Sequence, residues 1–172
     1  MKITLFAAIS LNGMIASIDG EEDFISDSNW DVFCKLVKDK GCVILGRRTY
    51  ENLKRWDENY IRELEGIKKI IISSNKLEDD NIIHAETPQK AIELVQEGGF
   101  SEAVLGGGSL TNSSFADLRL IDEAIINIEP VIVSEGIPLF SEENVEIGLK
   151  LLDVKKISED IVQLHYKIEK KQ

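Results

Sequence analysis

Apolar and polar residues alternate along this chain in blocks that predict a series of strands and helices. Residues 2–9 form an almost unbroken apolar run, which is typical of a central strand buried on both faces. Shorter apolar runs predict four further strands, at 42–45, 69–73, 82–84 and 103–105. Helical spacing or composition characterises three intervening segments, at 28–40, 47–55 and 87–96. This alternation predicts an α/β fold whose largely parallel sheet is covered on both faces.

Local signals mark the ends of two helices. Ser28, with Asp31 three residues later, resembles a capping box, and Gly41 follows the last helical residue. The pair Thr87–Pro88 has the residue types that favour a cap and the first helical position. Residues 12–20 contain Asn-Gly and Asp-Gly pairs and predict a loop between the first strand and the first helix.

The last third of the chain changes character. Segments 123–128, 150–157 and 161–168 are strand-like, and residues 158–160 are typical of a hairpin turn. The pattern therefore predicts a mixed, mostly parallel sheet with a C-terminal antiparallel hairpin at its edge. No repeat, low-complexity stretch or linker divides the sequence, so we expect a single domain over residues 1–172.

Composition and charge narrow the function classes. The 172 residues are 43% hydrophobic, which suffices for one substantial core. The sequence has 31 acidic and 20 basic side chains and thus a net charge of −11. This charge repels phosphate backbones and anionic lipids, so we expect neither nucleic acid nor a membrane as a partner. Neither a signal-peptide pattern nor a long apolar run occurs, so we expect a cytoplasmic protein.

The cysteines and the charge pairs carry little chemistry of their own. Cys34 and Cys42 lie eight residues apart without a histidine cluster, so we expect two buried thiols and no metal site. The pairs Glu142–Glu143 and Lys170–Lys171 indicate solvated charge.

A glycine run follows the fifth strand directly and opens a helix. In the segment 104–110, V-L-G-G-G-S-L, glycines let a backbone approach a pyrophosphate, and the free N–H groups of the helix start favour its charge. A tight structural turn between strand and helix gives the same pattern. The spacing alone does not discriminate between these two interpretations.

The second strand ends in a comparable way, at Gly46, with two arginines at the helix start. Arg47 and Arg48 are suited to bidentate pairing with a phosphate, although a solvated basic helix start is the alternative. The third strand end offers the hydroxyls of Ser73 and Ser74. Ligands of open α/β sheets bind at the carboxyl ends of the strands, so the three strand ends together predict an anionic ligand there.

Several segments in order resemble one family. Residues 8–16, A-I-S-L-N-G-M-I-A, resemble the S-L-D-G-x-I-A segment of the reductase domain of the bacterial riboflavin-pathway deaminase-reductase, with Asn12 where Asp is usual. Residues 45–51, L-G-R-R-T-Y-E, resemble the M-G-R-x-T-W/Y-E segment of dihydrofolate reductases. Similar elements follow in the family's order at 106–110, 120–123, 129–130 and 138–140. The chain thus resembles a stand-alone member of the RibD C-terminal, riboflavin-pathway reductase family in the dihydrofolate-reductase-like superfamily.

The resemblance implies a dihydrofolate-reductase-like three-layer fold and NADPH as the cofactor. The residues that it implies around NADPH are Ala8, Ile15, Gly46, Arg47, Arg48, Thr49, Ser73, Ser74, Gly106, Gly107, Gly108, Ser109 and Leu110. Within this set, Arg47, Arg48 and Ser74 would surround the adenosine phosphate. Ala8 and Ile15 would border the nicotinamide. Relatives are often homodimers, and the C-terminal strands are the natural seam.

The implied activity is hydride transfer from NADPH to a heterocyclic or ribosylamino-pyrimidine substrate, as in riboflavin biosynthesis. Dihydrofolate reductase is the alternative within the same class, and a catalytically inactive nucleotide-binding module or a structural dimerisation domain is the alternative outside it. Trp30 stands where dihydrofolate reductases carry an acidic residue on the first helix. The nearest carboxylates, Asp27 and Asp31, are therefore the candidate proton donors, against simpler interpretations as a turn residue and a capping-box acid.

Overall fold

The structure is a computed structural model that describes residues 1–56, 58–141 and 146–169. The charge pairs Glu142–Glu143 and Lys170–Lys171 lie outside the described residues. Within them, the elements in chain order are β1 (Lys2–Ser10), β2 (Met14–Ser17), α1 (Asp27–Lys40), β3 (Cys42–Gly46), α2 (Arg47–Arg55), α3 (Glu58–Glu63), β4 (Lys68–Ile72), β5 (Ile83–Ala85), α4 (Pro88–Glu97), β6 (Glu102–Leu105), α5 (Ser109–Asp117), β7 (Glu123–Glu129), β8 (Gly136–Pro138), β9 (Gly148–Lys156) and β10 (Val162–Glu169).

Eight of these strands form one sheet in the order β5-β4-β3-β6-β1-β7-β10-β9. The first six in this order are parallel, and β10 runs antiparallel to both β7 and β9. The predicted mixed sheet with a C-terminal antiparallel hairpin is therefore confirmed. Because these six strands are parallel, their carboxyl ends lie at the same edge of the sheet.

Hydrophobic residues pack on both faces of the sheet and produce three layers. On one face, the core includes Ala91 and Val95 of α4 and Phe115 of α5. On the other face, Phe33 and Val37 of α1 pack with residues from α2 and from the sheet. Strand β1 serves both cores because its side chains point alternately to the two faces. Its continuous apolar run, unlike an alternating one, is explained by this double burial.

The structure corrects two local predictions. Residues 14–17 are predicted as loop but form β2, which pairs with β8 through Ala16 and Ile137; no local pattern encodes a partner that lies so far along the chain. Helix α1 begins at Asp27 after Ser26, whose own side chain makes no capping hydrogen bond, so Ser28 and Asp31 do not form a capping box.

Two other helix signals are confirmed. Gly41 ends α1 in the left-handed region, at a φ of 73°, and its N–H donates to the Val37 carbonyl. The Thr87 hydroxyl accepts a hydrogen bond from the Lys90 N–H at 3.2 Å at the start of α4. Among the described residues, no helix has the length and apolar character needed to cross a membrane.

Candidate active site

A cavity of about 330 Å³ lies at the carboxyl ends of β1, β3 and β6, the three central parallel strands. On one side its wall is mainly backbone and small side chains, and we call this the glycine side: Ala8, Ile15, Thr49 and Gly106–Gly108. On the other side the wall carries rings and carboxylates, and we call it the aromatic–acidic side: Trp30, Phe33, Trp56, Tyr60, Glu22, Asp23 and Asp27.

Two helices begin side by side on the glycine side. Helix α2 starts after Gly46 and α5 after Gly108, and no side chain caps either one. The two turns are joined by a hydrogen bond of 2.6 Å from the Gly46 N–H to the Gly107 carbonyl. Uncapped N–H groups at two adjacent helix starts create a positive potential that suits an anion such as a diphosphate.

Close packing explains why the turn after β6 is built from glycines. A Cβ atom on Gly106 would lie 2.7 Å from Leu45 Cδ2, and one on Gly108 would lie 3.1 Å from Thr49 Oγ1. Gly107 has a φ of 85°, which side chains disfavour. The glycine run is thus a structural requirement of the turn, and it also leaves the backbone accessible to a ligand.

The two arginines at the start of α2 are exposed and lie outside the cavity wall. Arg47 Nε donates to the Glu51 carboxylate at 2.7 Å, so part of its charge is already balanced. At the neighbouring strand end, Ser73 is buried and its hydroxyl accepts from the Asn75 N–H at 3.2 Å, whereas Ser74 is exposed.

The cavity brings together some, but not all, of the residues that the sequence singles out. Those in its wall are Ala8, Ile15, Asp27, Thr49, Gly106, Gly107 and Gly108. Those outside its wall are Asp31, Gly46, Arg47, Arg48, Ser73, Ser74, Ser109 and Leu110. Asp31 is exposed on α1, one helical turn after Asp27, and it does not belong to the wall.

A cluster of four aromatic rings forms most of the aromatic–acidic side. The Trp30 ring centroid lies 5.0 Å from that of Tyr60, 5.5 Å from that of Phe33 and 6.3 Å from that of Trp56. These tilted and edge-to-face contacts hold the rings in fixed orientations. They offer flat apolar surfaces against which a planar ligand can pack.

Three carboxylates lie beside these rings. Burial raises the pKa of Glu22 to about 7, and the nearby charge of Glu21 adds to this effect. Asp27 accepts a hydrogen bond from the Tyr60 hydroxyl at 3.3 Å, and Asp23 is exposed. None of the described residues in the cavity wall is Lys, Arg or His. No cluster of metal-ligating side chains occurs in the described part of the chain.

A buried polar network fixes the start of α1 against the end of β7. The Glu129 carboxylate accepts from the Ser26 N–H at 2.7 Å and from the Asn29 side-chain amide. The Asn29 amide oxygen accepts in turn from Asn127 at 2.6 Å, and Asn127 accepts from Gln163 at 2.8 Å. Because its side-chain links are buried and paired, the network positions α1, and with it the aromatic–acidic side.

Sequence reasoning missed Glu22 and Glu129. Glu22 stands in an acidic run, E-E-D, that has the composition of a solvated loop, and only the tertiary fold shows its burial. Asn127 and Glu129 did carry a signal, since both interrupt an otherwise apolar strand. A polar residue in a buried strand requires a partner, and that requirement indicates a network of this kind.

Comparison with known proteins gives sequence relatives along almost the whole chain. A family model described as the RibD C-terminal domain matches residues 1–163. The uncharacterized protein YwjB of Bacillus subtilis is 34% identical over 173 residues, covering 96% of this chain and 97% of the relative. The uncharacterized protein YyaP of the same organism is 29% identical, covering 96% and 94%.

Solved structures show the same fold at lower identity. A candidate riboflavin biosynthesis protein from Shewanella sp. PV-4 superimposes with a TM-score of 0.81 at 21% identity, covering 99% of this chain and 100% of that one. The bifunctional deaminase and 5-amino-6-(5-phosphoribosylamino)uracil reductase of Thermotoga maritima gives 0.73 at 17% identity, covering 97% of this chain and 56% of that one. The expected dihydrofolate-reductase-like three-layer fold is confirmed. This chain belongs to the RibD C-terminal domain family.

Proposed function

We propose that the protein is an NADPH-dependent reductase of the riboflavin-pathway type, which transfers hydride to a heterocyclic or ribosylamino-pyrimidine substrate. The observation that carries this proposal is the pair of uncapped helix starts on the glycine side, which faces an aromatic wall across one cavity. A diphosphate fits the first feature and a planar reducible ring fits the second. Family membership supports the same class of reaction.

The glycine side suits the diphosphate and the nicotinamide. Its backbone approaches Thr49 so closely that a single methyl group on Gly108 would meet the hydroxyl, and this close approach suits a cofactor that binds through main-chain N–H groups. Ala8 and Ile15 would border the nicotinamide, which when bound supplies the hydride. Arg47, Arg48 and Ser74 would hold the 2′-phosphate at the surface.

We assign the proton donor to Glu22. Its pKa of about 7 leaves about half of the carboxyl groups protonated at neutral pH, which is the condition for a general acid. Asp27 lies in the same wall but is exposed and paired with Tyr60. In Glu22→Gln we expect kcat to fall at least a hundredfold while NADPH affinity stays within twofold. An unchanged kcat would move the assignment to Asp27 or water.

Protein fluorescence gives a direct first test. The chain has two tryptophans, Trp30 and Trp56, and both lie in the cavity wall, so ligand binding there will quench them. We expect saturable quenching by NADPH, then loss of absorbance at 340 nm when a ribosylamino-pyrimidine is added. NADPH binding without oxidation of any pyrimidine or pterin would favour the inactive nucleotide-binding module. If neither NADPH nor NADH quenches the fluorescence, the proposal is refuted.

Cofactor preference tests the arginine assignment separately. In Arg48→Ala and Arg47→Ala we expect NADPH affinity to fall about tenfold, which corresponds to about 1.4 kcal/mol, with little change for NADH. Lys38→Ala removes a similar charge at the far end of α1 and is the matched control. Equal losses of affinity for NADPH and NADH would show that these arginines do not bind the 2′-phosphate.

Dihydrofolate reductase stays as the second candidate. The aromatic–acidic side, with its rings and carboxylates, favours a flat nitrogen heterocycle of the pterin kind as well as a pyrimidine. Oxidation of NADPH with dihydrofolate, and none with the ribosylamino-pyrimidine, would select this candidate.

We also propose a homodimer across β9. This strand ends the sheet and exposes four large apolar side chains, Leu149, Leu151, Leu152 and Val154, each 47–51% accessible. An unpaired apolar edge of this kind favours association. Light scattering should give twice the chain mass, and Leu151→Lys with Val154→Lys should give the monomer, whereas the exposed Leu118→Lys should not. A monomeric wild-type protein would refute the proposal.

A further inference from the structure

The charges of the candidate site are divided between its two sides. The exposed arginines at the start of α2 flank the glycine side, whereas Glu22, Asp23 and Asp27 occupy the aromatic–acidic side. No cation among the described wall residues balances these carboxylates. Because like charges repel in a partly dehydrated cavity, an anionic group is disfavoured on the aromatic–acidic side.

Helix α1 begins next to the aromatic–acidic side, and a carboxylate already occupies its start. The Glu129 carboxylate accepts the Ser26 N–H at 2.7 Å and is only 3% exposed. Asp27 adds a second negative charge in the first turn. A phosphate that approached this helix start would therefore meet the negative charges of Glu129 and Asp27.

The basic residue beside this wall is also engaged. Arg55 precedes Trp56 in the chain, and its guanidinium pairs with Glu21 at 3.3 Å and donates to the Asn52 side chain at 3.0 Å. Drawing it to a ligand phosphate would break both contacts. Within the described part of the wall, this side therefore has no cation for a phosphate.

From this division of charge we infer that the aromatic–acidic side takes a planar nitrogen heterocycle that carries N–H or amino groups and no phosphate. The inference rests on the proposed function in that the glycine side is left to the nicotinamide. Trp30 and Tyr60 are perpendicular to each other, so one ring would pack on a face of the heterocycle and the other against its edge. The carboxyl groups of Glu22 and Asp27 would accept its N–H donors. The substrate is then a neutral or cationic ring, unlike the phosphorylated substrate in the name of the Thermotoga protein.

A matched pair of probes tests this inference without turnover. The probes are one ribosylamino-pyrimidine with a 5′-phosphate and the same compound without it, titrated against Trp30 and Trp56 fluorescence in the absence of cofactor. We expect the dephosphorylated probe to bind at least tenfold more tightly. We also expect this preference to shrink several-fold between 20 mM and 500 mM salt, because salt screens the repulsion.

Charge substitutions locate the source of the preference. The double variant Glu22→Gln with Asp27→Asn should improve binding of the phosphorylated probe and narrow the ratio of the two affinities at least threefold. Glu65→Gln, an exposed carboxylate outside the cavity wall, is the control and should leave the ratio unchanged.

The outcomes separate this inference from the proposed function. Tighter or equal binding of the phosphorylated probe, or no binding of either probe, overturns the inference even if NADPH binds and is oxidised. Failure of NADPH to bind overturns the proposed reductase, yet the ratio of the two probe affinities is read without NADPH and is judged independently of it.

Discussion

Replacement of Glu22 by Gln should stabilise the protein at alkaline pH and not at acid pH. Burial holds the pKa of Glu22 at about 7, against an ordinary value of 4.5 for a glutamate. The folded chain thus binds this proton more tightly than the unfolded chain does. Between pH 4.5 and 7 the folded state holds more protons, so the free energy of unfolding falls as pH rises through this window.

The size of the effect follows from that pKa difference. At about 1.4 kcal/mol for each pH unit, the ionised Glu22 costs up to about 3 kcal/mol above pH 7, a ceiling that water in the cavity lowers by screening. Gln cannot ionise and avoids this cost. For a chain of this length, about 3 kcal/mol corresponds to a rise in Tm of about 6–12 °C.

Urea unfolding at pH 5 and pH 8 measures the difference directly. The gain in unfolding free energy from Glu22→Gln should be below about 1 kcal/mol at pH 5 and approach its maximum at pH 8. Asp23→Asn, which removes an exposed carboxylate from the same wall, is the control for a general effect of net charge. The same gain at both pH values, or an equal pH dependence in Asp23→Asn, would refute the buried-carboxyl reasoning.

Three further predictions concern the surrounding fold. Gly106→Ala should lower the free energy of unfolding by about 1–3 kcal/mol, because its methyl group would press on Leu45, and unchanged urea midpoints would contradict this packing. Burial raises the pKa of Cys34 to about 12 and that of Cys42 to about 11. Both thiols should therefore react with a disulfide reagent at pH 8 only as fast as the folded chain opens. Complete reaction of the two thiols within seconds in native buffer would contradict this. Thr87→Ala should cost about 1 kcal/mol in thermal unfolding and Thr87→Ser little, because only the cap hydroxyl is lost; equal losses would argue against the cap.

The parallel core of the fold could be predicted from the sequence because its signals are local. Residues 2–9 and 42–45 are strands buried on both faces, which leaves a continuous apolar run that cannot occur on a solvated surface. The strand pair β2–β8 could not be predicted in this way. Its strands are short and only partly buried, and their pairing depends on the tertiary approach of segments about 120 residues apart.

Helix α1 shows how a plausible local signal can fail. Ser28 and Asp31 have the residue types of a capping box, yet the helix begins one residue before Ser28. The start of the helix is fixed by Glu129, which lies on β7 and accepts the Ser26 N–H. A buried long-range hydrogen bond therefore overrode a local preference that is worth about 1 kcal/mol.

The two sides of the candidate site also differed in how far they could be predicted from the sequence, and the reason is physical. The glycine side depends on backbone conformation and helix starts, which Gly106–Gly108 encode locally, so the strand–glycine–helix turn could be predicted from the sequence. The aromatic–acidic side brings Glu22, Trp30 and Tyr60 together from a loop and two helices, and the burial that changes the acidity of Glu22 exists only in the folded chain. On the inference drawn above, substrate selectivity depends on charges whose strength is set by tertiary burial. Relatives with the same fold and glycine side would then be able to differ in whether the substrate carries a phosphate.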